Sequence, residues 1–245
     1  MNLDDVARLH QKKHRDALGH FLVEGEHLVL ELQRAARRQP ALLASTLYLT
    51  QRHADWQGPL PTRMLNERQM ARIADTRTPQ GMVAVVPILP PAAPRPGERA
   101  VYLHEVQDPG NLGTILRSLA WFGGFRCLLS PGSVDPHNPK VVRASMGAIF
   151  HVPVETDVAL ASLPARYGRI ACLDTRGAAL RDAGFGHCDC YVFGNEARGL
   201  PPDAQATLDA QAYTVPGCGA IESLNLASVV NICVYEVDRR ARDEA

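Results

Sequence analysis

Apolar positions before residue 87 fall into alternating helical and extended runs. LDDVARLHQKKHRDAL reads as a helix, HFLVEGE as a strand and turn, and HLVLELQRAARR as a second helix. LLASTLYLT then reads as a strand, LNERQMARIAD as a helix and GMVAVVPIL as a strand. Periodicity that switches between helix and strand predicts a small α/β domain. From residue 98 the alternation is more regular. VYLHEV, FRCLLS, VPVE, RIACLDT, CYVFGNE and AYTVPG read as strands, and NLGTILRSLAWFG, NPKVVRASMGAIF, VALASLPARY and LPPDAQATLDA as helices between them. Short apolar strands separated by helices predict a parallel sheet covered on both faces, with ligands at the carboxyl ends of its strands. The last element, SLNLASVVNICVYEVDRR, has almost no polar face in its middle. Such a helix needs a surface to cover it, and a homodimer is the working expectation.

Between these regions PILPPAAPRP places five prolines in ten residues. That density forbids helix and ladder alike and favours an extended linker. The predicted organisation is a domain at 1–86, a linker at 87–97 and a second domain at 98–245.

The formal net charge is zero, which argues against a protein that holds nucleic acid through a global positive field. The distribution is uneven: residues 1–86 carry twelve Lys or Arg against nine Asp or Glu (+3), and residues 87–245 carry fourteen against seventeen (−3). Lys12, Lys13 and Arg15, beside His10 and His14, form one basic cluster, and Arg34, Arg37 and Arg38 form another. Both could meet phosphates or simply be solvated helix faces. No apolar run approaches a membrane span and the first residues lack a secretory signal, so a cytoplasmic location is expected. The six cysteines have no paired spacing and read as buried thiols. Cys188 and Cys190 beside His187 lack a second pair of ligands, so no metal is expected.

Three segments carry candidate chemistry. In HEVQDPGNLGTILRS, Pro109 and Gly110 turn a strand into a helix, Asn111 stands at the helix start to cap it or reach a ligand, and Arg117 reads as a partly buried guanidinium that requires a partner. In YVFGNEARGLP, a strand ends at Gly194, Asn195 and Glu196, and Glu196 is the natural partner for Arg117. In YTVPGCGAIESLNLA, a glycine-rich loop leads to Ser223 and Asn225, which either cap the last helix or face a substrate. Taken singly, the first segment is explained as well by a helix cap and an internal salt bridge, and the second and third are better explained by ordinary turn and capping chemistry.

Taken in order, NLGTILR, FGNEARGL and ESLNLA resemble the SpoU/TrmH family of RNA 2′-O-methyltransferases within the SPOUT superfamily. The resemblance extends over most of residues 98–245, including NPKVVRASMGAIF, and FLVEGEHLV and TPQGMVAVV look like a small ribosomal-protein-like RNA-binding domain. It implies an α/β fold, a parallel-sheet SPOUT domain whose C-terminal segment forms a trefoil knot, and S-adenosylmethionine as cofactor. No G-x-G-x-x-G turn follows the first strand of this part, in keeping with that cofactor mode. It points to Gly194, Val215, Pro216, Gly219 and Leu224, together with Leu173, as cofactor contacts. Gly217 departs from the family, whose members usually carry a larger apolar residue there.

By the same resemblance Asn111 bonds the ribose, Glu196 holds Arg117, Ser223 and Asn225 position substrate and arginine, and Arg143 contacts RNA. Arg117 corresponds to the arginine often proposed as base. A guanidinium scarcely releases its proton, so holding phosphate and stabilising the developing alkoxide is the preferred role. The implied substrate is RNA, with ribosomal RNA favoured over transfer RNA. A catalytically silent RNA-binding or assembly protein and a base methyltransferase remain as alternatives.

Overall fold

The computed structural model describes residues 1–243, and the last two residues of the expected 98–245 domain lie outside the described residues. Two compact units are present, Met1–Pro90 with Asp135–His151, and Pro91–Val134 with Val152–Ala245. The stretch 135–151, which the sequence pattern places in the second domain, thus packs with the first unit.

The first unit contains α1 (Leu3–Arg8), α2 (Lys12–Leu18), β1 (His20–Glu24), α3 (Glu26–Ala36), β2 (Thr46–Leu49), β3 (Thr62–Met64), α4 (Glu67–Ile73) and β4 (Met82–Pro87). The single helix expected at its start is two. The Arg15 guanidinium takes the carbonyls of Leu9 (2.8 Å) and His10 (2.9 Å) at the break, satisfying acceptors that a helix end leaves open. The strands order as β1-β4-β2-β3. Alternate β4 residues serve opposite faces: Met82, Ala84 and Val86 join Leu28, Val29 and Leu32 of α3, whereas Val83 and Val85 join Val6 of α1 and Met70 and Ile73 of α4. The period-two alternation of a strand therefore builds two apolar layers around one sheet.

The second unit begins with β5 (Arg99–Leu103), α5 (Pro109–Phe122) and β6 (Phe125–Leu129). The chain then contributes α6 (Pro139–Ser145) to the first unit, where Val142 is buried in the α3-side cluster and Asp135 meets buried Arg15. Returning, it forms β7 (Val154–Glu155), β8 (Ile170–Ala179), β9 (Cys190–Phe193), α7 (Ala204–Thr207), β10 (Gln211–Thr214) and α8 (Leu226–Asp243). The sheet order is β10-β8-β9-β5-β6-β7, with every neighbouring pair parallel. The helix expected around VALASLPARY is a 3-10 segment, Leu160–Ala165, containing Pro164, whose missing N–H opposes a longer α-helix. Ala212 lies opposite Cys172 but Tyr213 lies opposite Ala178, so residues 173–177 loop out of the β8 ladder. Gly177 permits this closeness: a Cβ there would lie 2.7 Å from the Ala212 backbone.

α8 packs on α5 through an amphipathic face of Ala227, Val230, Cys233, Val234 and Val237. The side expected to be covered is open, with Ile232 38% and Tyr235 53% exposed. Among the described residues, no helix is long and apolar enough to cross a membrane.

Candidate active site

Asp108, Pro109 and Asn111 start α5, but the cap is Asp108: its Oδ1 accepts from the Asn111 backbone N–H at 2.7 Å, with Pro109 in the first turn. The Asn111 side chain is thereby released from the capping role open to it in the sequence. Ahead of the helix, Glu105 adopts a left-handed backbone (φ 48°). Its N–H donates to Ser130 Oγ at 2.7 Å, and its carbonyl accepts from Gln107 Nε2 at 3.0 Å and Asn195 Nδ2 at 2.7 Å. These bonds clamp the carboxyl end of β5 to the ends of β6 and β9.

Beyond β9, Asn195 and Gly199 exchange two backbone hydrogen bonds of 2.9 Å. Asn195 Oδ1 also accepts from the N–H groups of Ala197 (3.0 Å) and Arg198 (3.1 Å). Gly194 is required by this tight turn, since a Cβ would stand 2.4 Å from the Gly199 carbonyl carbon. The turn sends Glu196 toward the start of α5. There its carboxylate accepts from the N–H groups of Gln107 (3.3 Å) and Asp108 (3.3 Å) and from Asn111 Nδ2 (3.2 Å).

The third segment joins through Asn225. Its Oδ1 accepts from Ala227 N–H (2.9 Å) and Ser228 N–H (3.3 Å), capping α8, and its Nδ2 donates to Asn111 Oδ1 at 2.9 Å. A directed chain results, Asn225 to Asn111 to Glu196. The orientation of Asn111 follows from charge: turned over, it would present oxygen to the carboxylate and an amide to another amide donor. Asn111 still has one N–H and one lone pair available for an incoming hydroxyl.

The expected cofactor residues stand at the same carboxyl end. Leu173 begins the looped-out part of β8, Gly194 follows β9, and Val215 follows β10. Among the described residues, no bond between backbone groups engages the loop 216–224, and the Val215 carbonyl accepts from Thr214 Oγ1 at 3.5 Å. Pro216, Gly219 and Leu224 are exposed on this loop, Gly219 with φ 80°. Unpaired main-chain donors and acceptors beside an apolar strand end suit the polar edge and flat face of an adenine. At Gly217 a Cβ would meet nothing within 4 Å, so the family departure leaves open space.

Several expectations are corrected. Arg117 is exposed, and no hydrogen bond or ion pair engages its side chain among the described residues. Glu196 holds Asn111 and the turn before α5 instead of Arg117. The arginine was read as partly buried because its neighbours are apolar, but Leu112, Ile115, Leu116 and Leu119 occupy the other side of the helix. Ser223 is exposed and does not cap α8, which begins later, under Asn225. Arg15 does not face RNA: it is 2% exposed and bound to Asp135. Lys12 and Lys13 are exposed, with Lys12 paired to Asp16 at 2.7 Å. Arg143 is half-buried against Asp75 in the first unit. Five cysteines are buried, but Cys218 is exposed in the 215–224 loop. Among the described residues, no group of His, Cys, Asp and Glu could hold a metal ion.

Glu105, Gln107, Asp108 and Ser130 were not singled out in the sequence, although Asp108-Pro109 before a helix is itself a capping signal. Glu105 also forms an ion pair with Arg198, the side chains 37% and 71% exposed. A left-handed non-glycine residue costs about 1–2 kcal/mol, and an exposed ion pair returns about 1 kcal/mol at most. The three hydrogen bonds to the Glu105 main chain hold this backbone.

Residues 98–235 match the SpoU rRNA methylase family, and residues 3–84 match the MRM3-like substrate-binding domain. The chain is 30% identical over 243 residues to the 23S rRNA (guanosine(2553)-2′-O)-methyltransferase RlmP of Bacillus subtilis, covering 95% of this chain and 94% of that protein. A TrmH-family protein structure from Porphyromonas gingivalis matches with a TM-score of 0.81, 31% identity and 97% of each chain. The S-adenosylmethionine-bound rRNA methyltransferase of Sinorhizobium meliloti matches with a TM-score of 0.78 and 26% identity, over 97% of this chain and 94% of that one.

Proposed function

The chain belongs to the SpoU rRNA methylase family, and on that premise we propose that it transfers a methyl group from S-adenosylmethionine to a ribose 2′-hydroxyl of ribosomal RNA. The observation that carries this reading is the chain of bonds from Asn225 through Asn111 to Glu196, which joins residues 114 and 85 positions apart at one end of a parallel sheet. The relatives support ribosomal RNA, since RlmP is named for 23S rRNA.

When bound, S-adenosylmethionine supplies a methyl carbon on a positively charged sulfur. The protein must hold the ribose oxygen in line with that carbon and accommodate the proton the hydroxyl loses. Asn111, fixed on both sides, offers its remaining N–H and lone pair to the ribose. Glu196 and Asn225 set the angle of that amide. Leu173, Gly194, Val215, Pro216, Gly219 and Leu224 form the wall for the adenosine. Arg117 is assigned to the RNA phosphate and the developing alkoxide, a role that its exposed guanidinium, without a partner among the described residues, is able to take.

A homodimer through α5 and α8 is part of this reading. Trp121 is 84% exposed on α5, and Phe122 of α5 contacts Tyr235 of α8 (ring centroids 6.1 Å apart), beside exposed Ile232. Apolar side chains clustered in this way favour burial against a second copy. The C-terminal trefoil knot is likewise inferred. Leaving β10 at the sheet edge, the chain returns to pack α8 on α5, the helix that follows β5 three strands away, a path that supports threading. Lys12 and Lys13 in the substrate-binding unit are proposed to meet RNA phosphates, Arg143 to do so only by leaving Asp75, and the protein to act in the cytoplasm.

The test is transfer of labelled methyl from S-adenosylmethionine to purified ribosomal and transfer RNA, followed by alkaline hydrolysis. Label in alkali-resistant dinucleotides from ribosomal RNA is expected. Label on a base, in transfer RNA only, or nowhere would overturn the reading.

A further inference from the structure

The ion pair between Arg198 and Glu105 stands on the rim of the site, and the main chains that carry it are parts of the site itself. Arg198 N–H is held by Asn195 Oδ1 at 3.1 Å, Asn195 Nδ2 holds the Glu105 carbonyl at 2.7 Å, and the residue between Asn195 and Arg198 on the Asn111 side is Glu196. The backbone at both ends is therefore fixed, while both side chains reach solvent, Arg198 at 71% exposure. Among the described residues only one terminal nitrogen of the guanidinium is engaged, with the Glu105 carboxylate. The planar fork of its donors fits a phosphate bidentately. A ribose presented to Asn111 carries its 3′-phosphate on the carbon next to the 2′-hydroxyl, so a phosphodiester accompanies the nucleophile into the site.

We propose that Arg198 is a substrate-binding residue that grips an RNA phosphate beside the target ribose, and that Glu105 holds this arginine in the free protein and yields it when RNA arrives. The inference rests on the reading of the site as an RNA methyl-transfer site. Glu105 and the phosphate compete for the same guanidinium, so the ion pair is the resting state that RNA displaces. The displaced Glu105 carboxylate, 37% exposed, is left to solvent.

Methyl transfer to purified ribosomal RNA is measured across a series of KCl concentrations for the unaltered chain, Arg198→Ala, Arg198→Lys and Glu105→Gln, with S-adenosylmethionine binding followed by calorimetry. Arg198→Ala is expected to raise the RNA KM about tenfold with cofactor affinity unchanged. It should also make the fall of log(kcat/KM) with log[KCl] shallower by about 0.7–0.9, the loss of one phosphate contact. Arg198→Lys should restore the salt slope and part of the KM. Glu105→Gln should lower the RNA KM. An unchanged KM and salt slope in Arg198→Ala, or a raised KM in Glu105→Gln with cofactor binding intact, overturns the proposal. Should Arg198→Ala not fold, Arg198→Gln gives the same readout. If the unaltered chain itself methylates no ribosomal RNA, the proposed function has failed instead.

Discussion

The Asn225 amide does two jobs with its two ends: Oδ1 caps α8 at Ala227 and Ser228, and Nδ2 donates 2.9 Å to Asn111 Oδ1. Helix start and active-site geometry are thus joined in one side chain.

That division can be separated by Asn225→Asp. Aspartate caps a helix as well as asparagine, so the melting temperature should hold. The donor to Asn111 is lost and a carboxylate faces its oxygen instead, so methyl transfer should fall by about 10–100-fold. Asn225→Ala should lose both, with about 1 kcal/mol of stability gone as well. Thermal melts beside initial rates check this, and full activity in Asn225→Asp would remove Asn225 from the mechanism.

In the first unit, Arg15 is buried against Asp135, 2.9 Å from Nε to Oδ2. Burial alone would raise the Asp135 carboxyl, but hydrogen bonds from His137 and Arg15 outweigh it and hold the group well below the ordinary carboxylate range. A depressed folded-state value gives stability that is present above the unfolded value near 4 and is lost as pH falls toward the folded one. Acid melts should therefore show a loss of stability below about pH 4 that is reduced in Asp135→Asn. At neutral pH, Arg15→Ala should cost about 3–5 kcal/mol by removing the buried cation that faces Asp135.

Thiol reactivity should single out one cysteine. Burial pushes Cys172 and Cys188 up to about 11 and Cys127 to about 12, and raises Cys190 and Cys233 as well. Cys218 alone is exposed. Iodoacetamide on the folded protein should label Cys218 first, as peptide mass mapping would show, and saturating S-adenosylmethionine should slow that labelling if 215–224 closes over the cofactor.

The open side of α8 makes its own prediction. Ile232→Glu with Tyr235→Glu should convert a dimer to a monomer by light scattering while leaving the melting transition cooperative. A monomeric mass for the unaltered chain would rule out the dimer.

The sequence by itself determined the alternation of elements, because short apolar runs and helical periodicity are local properties that a parallel sheet simply stacks. It also pointed to three segments whose placement the fold supplies: NLGTILR lies in α5, FGNEARGL at the end of β9, and ESLNLA at the start of α8. It did not determine partners. Whether Glu196 meets Arg117 or Asn111 depends on which side of α5 faces the β9 turn, and an apolar neighbourhood in sequence does not say which side is buried. Arg15 shows the same limit, since a basic cluster in sequence became one buried ion pair and two exposed lysines only when Asp135, 120 residues away, closed on it. Contacts between distant segments arise from packing, and packing is decided in three dimensions. The exchange of roles among Asp108, Asn111 and Asn225, two as helix caps and one freed for a ligand, was therefore left to the tertiary structure.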